Sequence, residues 1–391
     1  MKKKSIVIIM SLVLLLAFST AMVFAVKAGE MEFTGTEMKL SLEDAKKAML
    51  SSGIDIEAAK ITLKSDKAKS ATYYERLAGL YRQEAMADEA RAAGLSGLVS
   101  GPSNNAKILA DMAGAYAKEQ AQRNYDAAVN KIVRATVDSY YKLALAKERL
   151  RISNENVAAQ DKLYQNTQSK FNLGVVAKQD VLTAEFGLND AKVKAEQAAN
   201  DYTVARMGFN IQYGFDLMQD VTITDSLEEA ALSKISLSEA ITLALANRNE
   251  MHEADFSLKS EEISFDSVKK TKSSNTSAYM NEAVRMASVQ AAAVSVPKSI
   301  EMDIRKKYLD MTQKASEVEL YKLSVANAKE SYRLAGLQYD AGMTTLNDTQ
   351  QIQIKAYQAE LSYYSTLLEY NLAILDYEQA TTVGTSSGKI Q

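Results

Sequence analysis

The sequence predicts an all-α protein of long coiled-coil hairpins in two tandem copies. Three observations predict it: a composition suited to helices, a pattern that occurs twice, and an apolar period of seven inside each copy. The 391 residues contain 16 glycines and two prolines, Pro102 and Pro297, among abundant Ala, Leu, Lys, Glu and Gln. Those residues favour helix, whereas a β-sandwich or doubly wound sheet needs turn residues every ten or so positions.

The chain opens with Lys2-Lys3-Lys4, an apolar run from Ile6 to Phe18, and then Ser19-Thr20 and Val23-Phe24-Ala25. Charged, apolar and small residues in that order read as a secretory signal over residues 1–25, cleaved after Ala25. The alternative is a retained anchor, because Ser5 to Ala25 approaches the ~20 residues that span a bilayer. Either way the chain is expected to be exported, to the outer membrane or extracytoplasmic space of a cell envelope. It has no cysteine, so an exported protein of this kind depends on packing and association rather than disulfides.

The duplication follows. Leu40-Ser-Leu-Glu-Asp-Ala45 opens a first helical repeat, placed at 26–214, and Ile235-Ser-Leu-Ser-Glu-Ala240 opens a second, placed at 235–384. Residues 215–234 read as the linker and 385–391 as a flexible tail. Further in, Phe171-Asn-Leu-Gly174 with Asp180 is matched by Tyr339-Asp-Ala-Gly342 with Asp348. The step from Phe171 to Tyr339 is shorter than the step from Leu40 to Ile235, so the second copy has lost residues between its two landmarks. Each copy is expected to break in the middle, at Gly94–Pro102 in the first and at Ser273–Thr276 and Val296-Pro297 in the second, so that both prolines lie in breaks.

Within the later half of copy one, Leu143, Leu150, Val157, Tyr164 and Phe171 recur every seventh residue, and the same step from Phe171 to Tyr339 carries them onto Met311, Val318, Val325, Tyr332 and Tyr339. After the glycine, Val181, Leu188, Ala195, Tyr202 and Phe209 continue the stripe, with Ala184, Ala191, Ala198 and Ala205 forming a parallel row. Such a seam makes helices supercoil left-handedly, and an alanine row lets backbones approach closely. A helix starting near Lys107 and ending before Gly174 would be about 100 Å long at ~1.5 Å per residue. Tyr164, Tyr202, Tyr332, Tyr339, Tyr363 and Tyr370 fall on the stripes and read as packing knobs rather than a ligand-stacking surface.

Gly174 and Gly342 stand where a left-handed residue ends a helix. Thr345, with Asp348 one turn on, reads as the N-cap of the next helix, while copy one has Ala177 at that place and so the weaker turn. Leu173, Gly174, Val175 and Val176 with Ala341, Gly342, Met343 and Thr344 form the two hairpin tips. Their apolar members are candidates for docking a partner or for stapling their own turns.

Catalysis and cofactor binding are not expected. His252 is the one histidine, and without cysteine no usual zinc set can be assembled, so His252 reads as a surface residue on a helix. No nucleophile elbow or phosphate-binding glycine loop is present. The net charge of −3 is spread over both signs, which leaves no basic patch for nucleic acid.

These motifs resemble the outer membrane efflux protein family, the TolC-like exit ducts. The resemblance rests on the duplicated aromatic-x-x-Gly turns and on the alanine-spaced helices ending Tyr202-Thr-Val-Ala205 and Tyr370-Asn-Leu-Ala373. It rests also on the openings Ser41-Leu-Glu-Asp-Ala45 and Ser236-Leu-Ser-Glu-Ala240, and it covers about Leu40 to Gly384. It implies a homotrimer closing six hairpins into a hollow helical barrel, whose tips meet a periplasmic adaptor (membrane fusion protein) that serves an inner-membrane transporter. Asp180 and Asp348 then have two readings, helix caps or an acidic constriction at the barrel's end. The family also inserts two strands per half into a membrane β-barrel, and a spanning strand needs ~9–11 alternating residues. Neither Gly94–Ala113 nor Ser273–Ile300 supplies such a pair, so those strands are expected to be missing. The expected function is an efflux or export conduit; the alternative is a coiled-coil envelope scaffold or tether that conducts nothing.

Overall fold

The computed structural model describes residues 33–95 and 99–390; the expected signal segment lies outside them. Among the described residues, two strands and eight helices follow in order: β1 (Thr34–Leu40), α1 (Leu42–Ser52), α2 (Ile54–Ala92), α3 (Asn104–Asn172), α4 (Lys178–Tyr213), β2 (Gln219–Ile223), α5 (Leu237–Asn247), α6 (Asn249–Thr271), α7 (Ser277–Asp340) and α8 (Leu346–Ala380). The expected fold class is the observed one, long helical hairpins in two runs of four helices. The two runs differ where the unequal steps in the sequence said they would. The two helices before the tip, α2 and α3, measure 39 and 69 residues in the first run, against 23 and 64 for α6 and α7 in the second. The loop between them is also longer in the first run, 93–103 against 272–276. Those differences together account for the shortening of the second copy.

Five of the eight helices start at a side-chain cap. Ser41, Ser103, Ser236, Thr276 and Thr345 each accept a hydrogen bond from a backbone N–H of the first turn, which satisfies a donor that the helix cannot. The long helices are amphipathic at the expected seam: Leu143, Met311, Val318, Val181, Leu188, Phe209 and the alanines 184, 191 and 198 are buried. Leu150, Val157, Tyr164 and Phe171 are partly covered and lie on the same unbroken α3. Helices α4, α3, α8 and α7 pack side by side in that order, with α2 against α3 and α6 against α7 beyond them.

The main core lies around the middle of α3, where Ile132, Val137, Tyr140 and Leu143 meet α1, α5, the strands and the later half of α8 through Leu367, Ile374 and Tyr377. A small second core of Leu163, Ala184, Tyr339 and Leu346 lies toward the tips.

One expectation is corrected. Pro297 does not lie in a break: α7 runs through it from Ser277 to Asp340. Ile300, Ile304 and Met311, just beyond it, are buried, and their burial outweighs the lost N–H of one proline. The break of the second copy is at 272–276 alone. The tail residues Gly384, Ser386 and Gly388 accept hydrogen bonds from Asn130 of α3, Asn249 of α6 and Asn124 of α3, and the Gly388 N–H donates back to Asn124. One element had gone unread. β1 and β2 form a parallel pair, with Met38 opposite Val221 and Leu40 opposite Ile223. Among the described residues these are the only strands, and residues 277–300 are helical throughout.

Candidate functional site

The two tips are built alike. In the first, the Gly174 N–H donates to Phe171 O at 2.8 Å and the Val175 N–H reaches back to Lys170 O at 2.9 Å; in the second, Gly342 donates to Tyr339 O at 3.1 Å and Met343 to Gln338 O at 2.8 Å. Both glycines are left-handed, at φ 72° and 73°, so a β-carbon there would strain the backbone. The next helices are capped differently. The Asp348 N–H donates to Thr345 Oγ1 at 3.1 Å and the Thr345 hydroxyl to the Asp348 carboxylate at 2.7 Å. In the first tip only the reciprocal half survives, with the Ala177 N–H donating to Asp180 Oδ2 at 3.1 Å.

The fold brings the tips together. Near the end of α3, Lys170 Nζ lies 3.8 Å from the centre of the Tyr339 ring, donates to the Tyr339 carbonyl, and stands 4.0 Å from Asp340. Asn166 donates to the Asp340 carboxylate, and the Thr167 and Tyr339 hydroxyls share a hydrogen bond of 2.8 Å. Burial pushes the Tyr339 phenol above its ordinary range, so it remains a neutral donor or acceptor in this staple. Leu173, Val175 and Met343 project outward, 78%, 68% and 77% exposed. Gly174, Ala341 and Gly342 are exposed as well, and Val176 and Thr344 are half-covered.

Behind the tips the α3–α8 seam turns polar. Ser153, Gln160 and Thr167 recur every seventh residue of α3 and are buried, opposite Gln353 and Glu360 of α8. Arg151 ties the seam, bonding Glu148, Glu155 and, at 3.0 Å, Glu360; Lys329 of α7 holds the other Glu360 oxygen at 2.7 Å. Gln160 Oε1 and Gln353 Oε1 have no partner among the described residues. Gly187 of α4 lies at this level, where a β-carbon would come within 2.5 Å of Gln350 Nε2 and would displace that amide.

Sequence reasoning missed the surroundings of His252. It is half-covered rather than freely exposed: its ring stacks 4.9 Å from Tyr116, and Nδ1 lies 2.8 Å from Gln120 Oε1. Gln120 Nε2 donates to Asn124, so its oxygen faces His252 Nδ1. Burial lowers the imidazole pKa, opposed in part by Glu119 at 3.3 Å. Among the described residues no group of histidines and acids is placed to hold a metal ion.

No protein-family model and no curated protein matches the sequence. Solved structures do. The Campylobacter jejuni CmeC outer membrane channel superposes with a TM-score of 0.66 at 14% identity, over 89% of this chain and 87% of that one. The open state of the Neisseria gonorrhoeae MtrE outer membrane channel gives 0.63 at 13%, over 88% and 90%. The outer membrane protein VceC of Vibrio cholerae gives 0.65 at 9%, over 88% and 97%. The long capped helices, the paired glycine tips and the two runs of four thus belong to an architecture matched along nearly the whole length, and the chain has the TolC-like fold of outer membrane efflux channels.

Proposed function

We propose that the chain is one subunit of a homotrimeric conduit for efflux or export in the cell envelope, a passive helical duct rather than an enzyme. One observation carries the reading. The helices at the two edges of the wall, α4 and α7, each bear an exposed apolar stripe with no cover among the described residues. On α4 it comprises Phe186, Val193, Val204 and Ile211, and on α7 Met302, Leu309, Leu320, Leu323 and Leu337. Apolar area left in water costs roughly 25 cal/mol per Å², and two unlike edges are satisfied at once when copies join head to tail into a closed ring. Three copies would place six tips at one end. The likeness in fold to outer membrane channels supports this arrangement.

The exposed Leu173, Gly174, Val175, Ala341, Gly342 and Met343, with the half-covered Val176 and Thr344, are, on this reading, the surface that meets a periplasmic adaptor, itself serving an inner-membrane pump. Asp180 and Asp348 serve first as caps and, in a trimer, form an acidic ring near the mouth. The polar α3–α8 seam gives the hairpins a place to shift, because hydrogen bonds between side chains exchange partners at less cost than a packed apolar seam can be opened.

A second reading, a scaffold that conducts nothing, is favoured by a specific observation: where the resemblance calls for membrane strands, residues 277–300 are helix. Light scattering and planar-bilayer conductance on the mature protein separate the two. Threefold mass with discrete conductance is expected; threefold mass without conductance, or a monomer at high concentration, removes the conduit and leaves the scaffold. Val175→Asp with Met343→Asp is expected to abolish adaptor capture and export at unchanged helicity and mass. Export that survives would show the tips to be structural.

A further inference from the structure

Residues 384–390 lie across α3 and α6 and are held through their backbone. Asn130 Nδ2 donates to Gly384 O at 2.9 Å, Asn249 Nδ2 to Ser386 O at 2.7 Å, and Asn124 Nδ2 to Gly388 O at 3.0 Å. Three asparagines thus read every second carbonyl, the period of an extended strand. Asn124 also accepts the Gly388 N–H at 2.8 Å, so one side-chain amide pairs with both backbone groups of one residue, as a neighbouring strand would. The Tyr116 hydroxyl donates to Lys389 O at 3.0 Å, and the Lys389 N–H points to the Glu253 carboxylate at 3.4 Å.

The walls behind these contacts are fixed in advance. Tyr116 is buried, stacked 3.9 Å from Phe256 as well as on His252, and Gln120 and Asn249 are buried. Gln120 holds the Asn124 amide in the orientation that Gly388 requires. One selective feature remains: a β-carbon at Gly388 would stand 2.5 Å from Gln120 Nε2. The donors and acceptors come from both repeats, Tyr116, Asn124 and Asn130 from α3 and Asn249 and Glu253 from α6.

We propose that this asparagine-lined cleft is a binding site for an extended, glycine-containing peptide backbone, filled here by the chain's own C-terminal segment, and that the filled site is a latch holding α6 of the second repeat against α3 of the first. The inference is independent of the conduit reading. Of the three asparagines Asn249 is buried and Asn124 and Asn130 are half-covered, and each hydrogen bond has a modest net worth because water competes for both partners. The cluster as a whole is therefore strong enough to hold a short segment yet weak enough to release it.

The test uses the full chain. Hydrogen exchange followed by mass spectrometry should show protected amides at Gly388 and Lys389 in the wild type, and at both positions in Lys389→Ala, whose backbone contacts are intact. Gly388→Pro removes the N–H given to Asn124 and fills the space before Gln120, and should raise exchange of the Lys389 amide at least tenfold, with faster exchange also at 249–253. A labelled peptide, Gly-Thr-Ser-Ser-Gly-Lys-Ile-Gln, should then bind the Gly388→Pro protein, but neither the wild type, whose cleft is full, nor Gly388→Pro combined with Asn124→Leu. If circular dichroism shows that Gly388→Pro costs helix, Gly388→Ala replaces it with the same expectation. Unchanged exchange at the Lys389 amide, or no peptide binding to the released protein, overturns the site; unchanged exchange at 249–253 with the tail released overturns the latch.

Discussion

Thr345 and Ala177 occupy the same place in the two copies, yet a hydroxyl caps one helix and the methyl at the start of the other accepts nothing. Thr345→Ala should lower stability by about 1 kcal/mol, and Ala177→Ser should raise it by up to about the same amount; thermal melts of the two variants against the wild type check both signs. His252 sets a pH response at the same scale. Its folded-state pKa lies below the ordinary 6.5, so the charged imidazole is disfavoured in the fold. The contribution is fully present above that value and is lost as pH falls through it. Melting temperature should therefore drop between about pH 7.5 and about pH 5.5 by more in the wild type than in His252→Gln. Equal drops would place the response elsewhere.

Among the elements, α7 holds the largest local conflict. A proline inside a helix loses one hydrogen bond and crowds the carbonyl four residues back, at a cost of ~3 kcal/mol, here at Pro297 against Ala293. Pro297→Ala should raise the melting temperature measurably; a fall would mean that the packing of Val296 and Ile300 depends on the distorted turn. The same element shows which signals the sequence carries. The heptads, the glycine turns and the caps were legible because each is a local pattern written twice. Pro297 was misread as a break because the burial of Ile300 and Ile304 is decided by α5 and α8, far along the chain. The strands were overlooked because only Val221 and Ile223, or Met38 and Leu40, alternate, too short a run to stand out. His252 was read as exposed because Tyr116 and Gln120, which cover it, belong to the other repeat. The tip residues were legible as a place, since glycine spacing fixes a turn; the Lys170–Tyr339 staple that joins the two places was not, since nothing in a single sequence aligns the two hairpins in space.

At the scale of the whole molecule, the edges decide the assembly. Val193 on α4 and Leu323 on α7 lie at matching distances from their tips and on opposite edges of one wall. A head-to-tail ring brings Val193 of one copy to Leu323 of the next, and because the chain has no cysteine, Val193→Cys combined with Leu323→Cys reports that contact without background. Oxidation should yield covalent dimers and trimers on a denaturing gel, while each single variant gives dimers at most. A monomer band alone under oxidation would rule out this ring. The β1–β2 pair acts on a different axis, that of time. Thr34 meets Gln219 and Leu40 meets Ile223, so the strand that comes first must wait for a partner that follows it only after four helices, α1 to α4. The entropy of closing a loop rises with its length, and contacts so distant in sequence form late. A chain emerging amino end first thus has its long helices wound before its opening strand can seat. In the interval Met38, Leu40, Val221 and Ile223 are bare, and the newborn protein is most open to holding factors, or to mispairing with its neighbours, until Ile223 has cleared the exit.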